Sequence, residues 1–225
     1  MYTFTNEVMF VRTMYLSKIK NRIAEMDNGS AIIIGNFLDI ANYDAIKNAL
    51  SKLEKEKVLI RVMRGVYKKP NYNNTLQIEI PAKPDDVAKA IAKNNNWNII
   101  PKGDSALNYL GLSTQVPAVY TYVSDGPSKT YQYGKNKIKF YKRSNKYING
   151  MSMKTGLIIE AIKTLGTENV GVKERQIIAS KLSDSEKMKL AIEGRQTARW
   201  INEEIVKILE TGGYDVRGSK IINER

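Results

Sequence analysis

Apolar positions along the chain change period several times, and each change marks an element. Over residues 16–26, Ile19, Ile23 and Met26 recur at i, i+4 and i+7, the spacing of one helix face. Asp27-Asn28-Gly29 closes that helix, since Asn and Gly tolerate the left-handed backbone of a C-terminal cap. Residues 31–34 are rich in isoleucine and predict a short strand. Asn36 is placed to cap a short helix through Ala41, and Asn42 breaks it. A second helix over 43–56 carries Ile46, Ala49, Leu50 and Leu53 as its apolar stripe. The period then drops to two: Ile60 and Val62 flank Arg61, and Arg64-Gly65 predicts a tight hairpin turn. Residues 71–84 are punctuated by Pro and Asn and predict a linker.

Pro84-Asp85-Asp86 is a helix start, with proline preset for the first turn and acids favoured by the dipole; that helix should reach Lys93. Residues 97–101 look extended, and residues 105–110 form a short helix stopped by Gly111. Residues 118–123, 129–133 and 137–142 are strands separated by turn residues, which predicts a small antiparallel sheet with flanking helices. From residue 150 onward the pattern is helical. Ile158, Ile159, Ile162 and Leu165 share a face, Ser183 to Glu186 form a capping box, and Trp200 to Leu209 define a last helix ended by Gly212-Gly213. The expected fold class is α+β, in three segments: 1–83, 84–150 and a helical region over 151–225.

The 225 residues contain no cysteine and no histidine. Disulfides, thiolate metal sites, the usual zinc sites and Ser-His-Asp catalysis are thereby excluded. There is no glycine loop for a phosphate either, so the expectation is a non-enzyme with no cofactor and no metal. No apolar stretch is long enough for a membrane span and no signal peptide is legible, so the expected location is the cytoplasm, away from any membrane. The formal charge is +13, which points to a polyanion, or to solubility alone. The excess is uneven: +5 over 1–83, +6 over 84–150 and +2 over 151–225.

Helix, strand, short helix, turn, helix and basic hairpin follow one another in the order of a winged helix-turn-helix. The outer face of the second helix then carries Tyr43, Asp44, Lys47, Asn48, Ser51, Lys52 and Lys55. An α-helix fits the major groove of double-stranded DNA, where Asn48 suits adenine, Lys47 suits guanine or phosphate, and Ser51 and Lys52 suit the backbone. Arg61 and Arg64 of the hairpin, with Lys68 and Lys69 behind, suit phosphates or the minor groove. Two other readings stand beside this one: a lysine on a polar helix face is often merely solvated, and winged helices also bind proteins.

Residues 36–41, 46–53 and 61–67 together resemble the N-terminal winged helix of AbiEi-type antitoxins of abortive-infection systems. A second block, Asp104 to Pro117 followed by Thr121 to Ser128, is similar to that family's signature through Asn108, Gly111, Ser113, Thr114, Gln115, Asp125 and Gly126. The likeness covers about residues 16–142; Lys52 and Val123-Ser124 depart from the family pattern. It implies a repressor of its own operon, partnered directly or functionally with a nucleotidyltransferase-type toxin. Apart from the likeness, symmetric operators go with dimers, so a homodimer on DNA is expected. The alternative is a stand-alone winged-helix regulator with a ligand-sensing or protein-interaction rear domain. Read as residues alone, the signature either ties a loop to the sheet or forms a contact surface.

Between Asp125 and Glu160 there is no acid, but there are Lys129, Lys135, Lys137, Lys139, Lys142, Arg143, Lys146 and Lys154, with Tyr131, Tyr133, Phe140, Tyr141 and Tyr147 among them. Lys137, Lys139, Lys142 and Arg143 are the candidates for a polyanion or toxin contact. The plainer alternative puts the aromatics in the core and the lysines in water.

Overall fold

The computed structural model describes the backbone of residues 3–144 and 148–216, with side chains from Met14 onward. Lys146 and Tyr147 of the basic stretch lie outside the described residues. The architecture is α+β, and the chain divides into two units between Asn96 and Trp97.

The first unit opens with α1 (Thr3–Glu25), β1 (Ala31–Ile32) and a single 3-10 turn at Ile34–Asn36. Next come α2 (Tyr43–Lys55) and the hairpin of β2 (Ile60–Met63) and β3 (Val66–Lys68). β3 lies between β1 and β2, antiparallel to both. Gly65 makes the hairpin turn at φ +79°, a conformation that costs a residue without Cβ nothing. Ile19 and Ile23 of α1 share one core with Phe37, Ile46, Leu50, Leu53 and Leu59. Each such side chain stabilises the unit by about 1.5–3 kcal/mol through removal from water.

Three expectations for this unit are corrected. The short helix over 36–41 is absent. The Asn36 carboxamide accepts from the Ile33 N–H behind it (2.8 Å), and Phe37 O instead closes a turn with Ile40 N (2.8 Å). The expected linker holds a second hairpin, β4 (Tyr72–Asn73) with β5 (Ile78–Glu79), whose loop is fixed by the Asn73 side chain accepting from Thr75 N and Leu76 N. The boundary expected at 83/84 moves to 96/97. The helix α3 (Pro84–Asn94) packs with the first unit, and Asn94 Nδ2 donates to Gly65 O (3.0 Å) at the β2–β3 turn.

The second unit contains β6 (Ile99–Lys102), α4 (Asp104–Leu110), β7 (Tyr120–Ser124), β8 (Lys129–Tyr133) and β9 (Asn136–Lys142). After the sheet come α5 (Met153–Leu165), α6 (Val172–Ala179), α7 (Asp184–Gly194) and α8 (Arg199–Thr211). The strand order is β6-β7-β9-β8, and β7 runs parallel to β9, so the sheet is mixed rather than antiparallel throughout. The tight turn at Gly134 sends β9 back between β7 and β8. There Arg143 N donates to Ser124 O (2.8 Å) and Lys142 N to Ser128 Oγ (3.0 Å), closing both sides of the inserted strand. Residues 151–216 are not a separate region either. Leu157, Ile158, Ile159 and Ile162 of α5 share a core with Ile100, Ala106, Leu110 and Val123, and with Ile201, Ile205 and Ile208 of α8. Among the described residues no helix is long and apolar enough to cross a membrane.

Candidate nucleic-acid interface

The amphipathic pattern of α2 decides what it presents. Ile46, Ala49, Leu50 and Leu53 are buried, which turns Tyr43, Asp44, Lys47, Asn48 and Lys52 to solvent and leaves Ser51 half-buried. Asn42 caps the helix: its side-chain oxygen accepts from Ala45 N (3.0 Å). Positions 44, 47, 48, 51, 52 and 55 fall at the three- and four-residue spacing of a single face. Lys52 stands 3.8 Å from Glu56, but that carboxylate is more closely held by Lys20 (2.9 Å), whose hydrogen bond keeps it below the usual glutamate range. Arg61 and Arg64 are exposed on the hairpin that follows. Arg61 lies opposite Tyr67 in the β2–β3 register; burial pushes the Tyr67 hydroxyl up, against the pull of the Arg61 charge.

Lys68 is a correction. It is 3 % exposed, and its ammonium donates to the Glu79 carboxylate and to Ile80 O. A buried cation held by two acceptors does not meet a phosphate. Lys69 is engaged too, its Nζ donating to Ala24 O (2.7 Å) and Met26 O (2.6 Å) at the C-terminal end of α1. Arg22 carries no motif in the sequence but clamps the segment ahead of α2. It grips Asp39 with two hydrogen bonds (2.6 and 2.7 Å) and donates to Asn36 O (2.9 Å), and the Asp39 carboxyl is held below its usual range by that grip.

The signature residues build the second unit. Gly111, at φ +70°, ends α4: its N–H donates to Asn108 O (3.0 Å) and Leu112 N to Leu107 O (2.8 Å), a Schellman pattern. Asn108 Nδ2 donates to the carbonyls of Ser113 (3.3 Å) and Gln115 (3.2 Å), and Ser113 Oγ accepts from Gln115 N (3.2 Å). Thr114 is exposed at the tip of that loop. Asp125 accepts from Asn98 N (2.8 Å) and Asn98 Nδ2 (3.1 Å). Gly126 faces the Trp97 ring, where a Cβ would fall 2.4 Å from ring atoms.

Strand alternation divides the basic stretch. Lys137 and Lys139 lie on one face of β9, while Ile138 and Phe140 are buried on the other. Lys142 falls on the face of Phe140, so it does not join Lys137 and Lys139; Arg143 follows just beyond the strand. Lys102 of β6 does join them. The register runs Lys102, Thr121, Lys139, Thr130 across all four strands, and Lys102 and Lys139 both reach the Tyr141 ring, at 5.9 and 4.6 Å. Lys102 was missed because its strand is far away in sequence from β9.

A family model for a family of unknown function, DUF6088, matches residues 18–190. The chain belongs to that family. The matched residues of this DUF6088 chain span α2, the β2–β3 hairpin, the signature block and the basic sheet. No curated protein matches it in sequence. Among solved structures it is similar to the crystal structure of RV2827C protein from Mycobacterium tuberculosis, with 11 % identity and a TM-score of 0.40 over 94 % of this chain and 82 % of that one. A likeness at that level says nothing of function. Among the described residues no three acidic side chains come together to hold a metal ion.

Proposed function

We propose that this DUF6088 chain is a DNA-binding transcriptional repressor and not an enzyme, with a winged helix-turn-helix as its first unit. In this reading α2 enters the major groove of double-stranded DNA and the β2–β3 hairpin is the wing. The observation that carries it is the pairing of an α2 face made of Lys47, Asn48, Ser51 and Lys52 with Arg61 and Arg64 exposed on the hairpin that follows. A helix of this diameter suits a groove about 12 Å wide. Asn48 and Lys47 read base edges, Ser51 and Lys52 hold the backbone, and Arg61 and Arg64 neutralise phosphates. The 3-10 turn and the Arg22–Asp39 clamp take the place of the first helix of the motif.

The likeness to AbiEi-type antitoxins extends the proposal: the operator is the chain's own and the partner is a nucleotidyltransferase-type toxin. A symmetric operator would be bound by a dimer. Asn108, Ser113 and Asp125 of the signature spend their side-chain hydrogen bonds within the second unit, which favours a scaffold role for them over a toxin contact. That observation keeps a second reading in play, a stand-alone regulator. Growth after inducing the neighbouring reading frame, with and without this chain, separates the two.

The test of DNA binding is fluorescence anisotropy with duplexes from upstream of the gene. Affinity should fall steeply with salt, because each neutralised phosphate releases counterions. Lys47→Ala and Arg64→Ala should each weaken binding by about 1 kcal/mol, roughly fivefold, and only Lys47→Ala should change the preferred sequence. A folded double variant that binds like the wild type overturns the assignment.

A further inference from the structure

We infer that the second unit carries its own binding face for single-stranded nucleic acid, on the side of the four-stranded sheet that holds Lys102, Lys137, Lys139 and Tyr141. The register sets Lys102, Thr121, Lys139 and Thr130 in one row across β6, β7, β9 and β8, with Gln132 opposite Lys137 beside it. Ile100 and Val123 on the same side are buried against α5, so the open part of the face is this row and the Lys137–Gln132 pair, with Tyr141 at its border. Three strand spacings make that row about 14 Å wide, the reach of two or three nucleotides. Lys137, Thr130 and Gln132 are exposed, and Lys102, Thr121, Lys139 and Tyr141 are half-buried.

Charge on this face is one-sided. Residues 126–159 contain no acid, and among the described residues no acidic side chain pairs with Lys137 or Lys139. The carboxylate that does approach is Glu160, 3.9 Å from Lys102; it is buried and also held by Lys163 at 3.3 Å. A polyanion therefore gains from Lys137 and Lys139 without displacing a carboxylate. Two lysines beside one tyrosine ring, with two threonine hydroxyls and a glutamine amide alongside, combine phosphate neutralisation, base stacking and hydrogen bonding. A sheet face does not protrude as a helix or ribbon must to enter a duplex groove, so unpaired strands suit it and duplex does not.

The experiment is anisotropy of labelled twelve-nucleotide oligo(U) and oligo(dT), and of a duplex of operator length, against the full chain. Both single strands should bind, with affinity falling as salt rises. Lys137→Glu with Lys139→Glu should weaken single-strand binding at least tenfold and duplex binding less than twofold. Tyr141→Leu should weaken it about tenfold by removing the stacking ring, and Tyr141→Phe should bind like the wild type. Lys47→Ala with Arg64→Ala should leave single-strand binding unchanged, so failure of the duplex proposal and failure of this one are told apart. A preference for oligo(U) identifies RNA as the source, and equal binding identifies any unpaired strand. The inference is overturned if neither oligonucleotide binds at low salt, if the folded lysine variant binds both as the wild type does, or if it loses single strand and duplex equally.

Discussion

Gly126 has little to do with chain flexibility and much to do with space. A methyl group at its Cα would fall 2.4 Å from atoms of the Trp97 ring, which stands edge-on to Phe140 at 5.7 Å. Gly126→Ala should therefore destabilise the second unit by about 1–3 kcal/mol, the usual penalty of overpacking, read as a lower urea midpoint. An unchanged midpoint would mean that the ring moves aside at no cost. Asp125-Gly126 was legible in the sequence as a turn, but the ring it accommodates was not, since Trp97 lies far up the chain. Lys68 teaches the same lesson. Its place in a basic run reads as an exposed cation, and only the fold brings Glu79 and the Ile80 carbonyl around it.

At the level of elements, what is local was legible. The stripe of α2, its Asn42 cap, the turn at Gly65, the capping box of Ser183 and Glu186, and the Gly111 stop all depend on neighbours a few residues apart. What depends on distant pairing was not. Residues 71–80 read as linker because two-residue strands carry almost no periodic signal, and the parallel β7–β9 pairing follows from an insertion that no pattern announces. Asn36 reads as a cap ahead, but its side chain turns back to Ile33. The α2 cap gives a direct check. Asn42→Ala removes the acceptor for Ala45 N and should cost about 1 kcal/mol in chemical denaturation followed by circular dichroism, and Asn42→Ser should restore most of it. If alanine costs nothing, the first turn of α2 is held by other means.

Across the whole molecule, charges that matter to stability are distributed unequally between the two units. In the first, the carboxylates of Asp39 and Glu56 are held low by Arg22 and Lys20, but these pairs sit at the surface, where water screens them. In the second, burial pushes the Glu204 carboxyl up, yet hydrogen bonds from Lys207 (2.7 Å) and Arg175 (2.9 and 3.1 Å) outweigh it and hold the group below the usual range. Glu193 is likewise pushed up by burial and brought below its range by Thr155 and Ser152, whose N–H and hydroxyl donate at 3.0 and 2.8 Å. A carboxyl with a depressed folded-state pKa stabilises the fold above its unfolded value, about 4.3, and loses that contribution as pH falls through the folded value. Acid should therefore weaken the second unit. Both tryptophans, Trp97 and Trp200, lie there, so their emission reports on that unit. The urea midpoint read by tryptophan emission should be flat from pH 7 to about 5.5 and fall steadily below about 4.3. Glu204→Gln should lower the midpoint at pH 7 by the equivalent of about 1–3 kcal/mol, since Arg175 loses its charged partner, and should flatten the acid decline. A wild-type midpoint that stays constant down to pH 3.5 would show that Glu193 and Glu204 gain nothing on folding, whatever the hydrogen bonds around them.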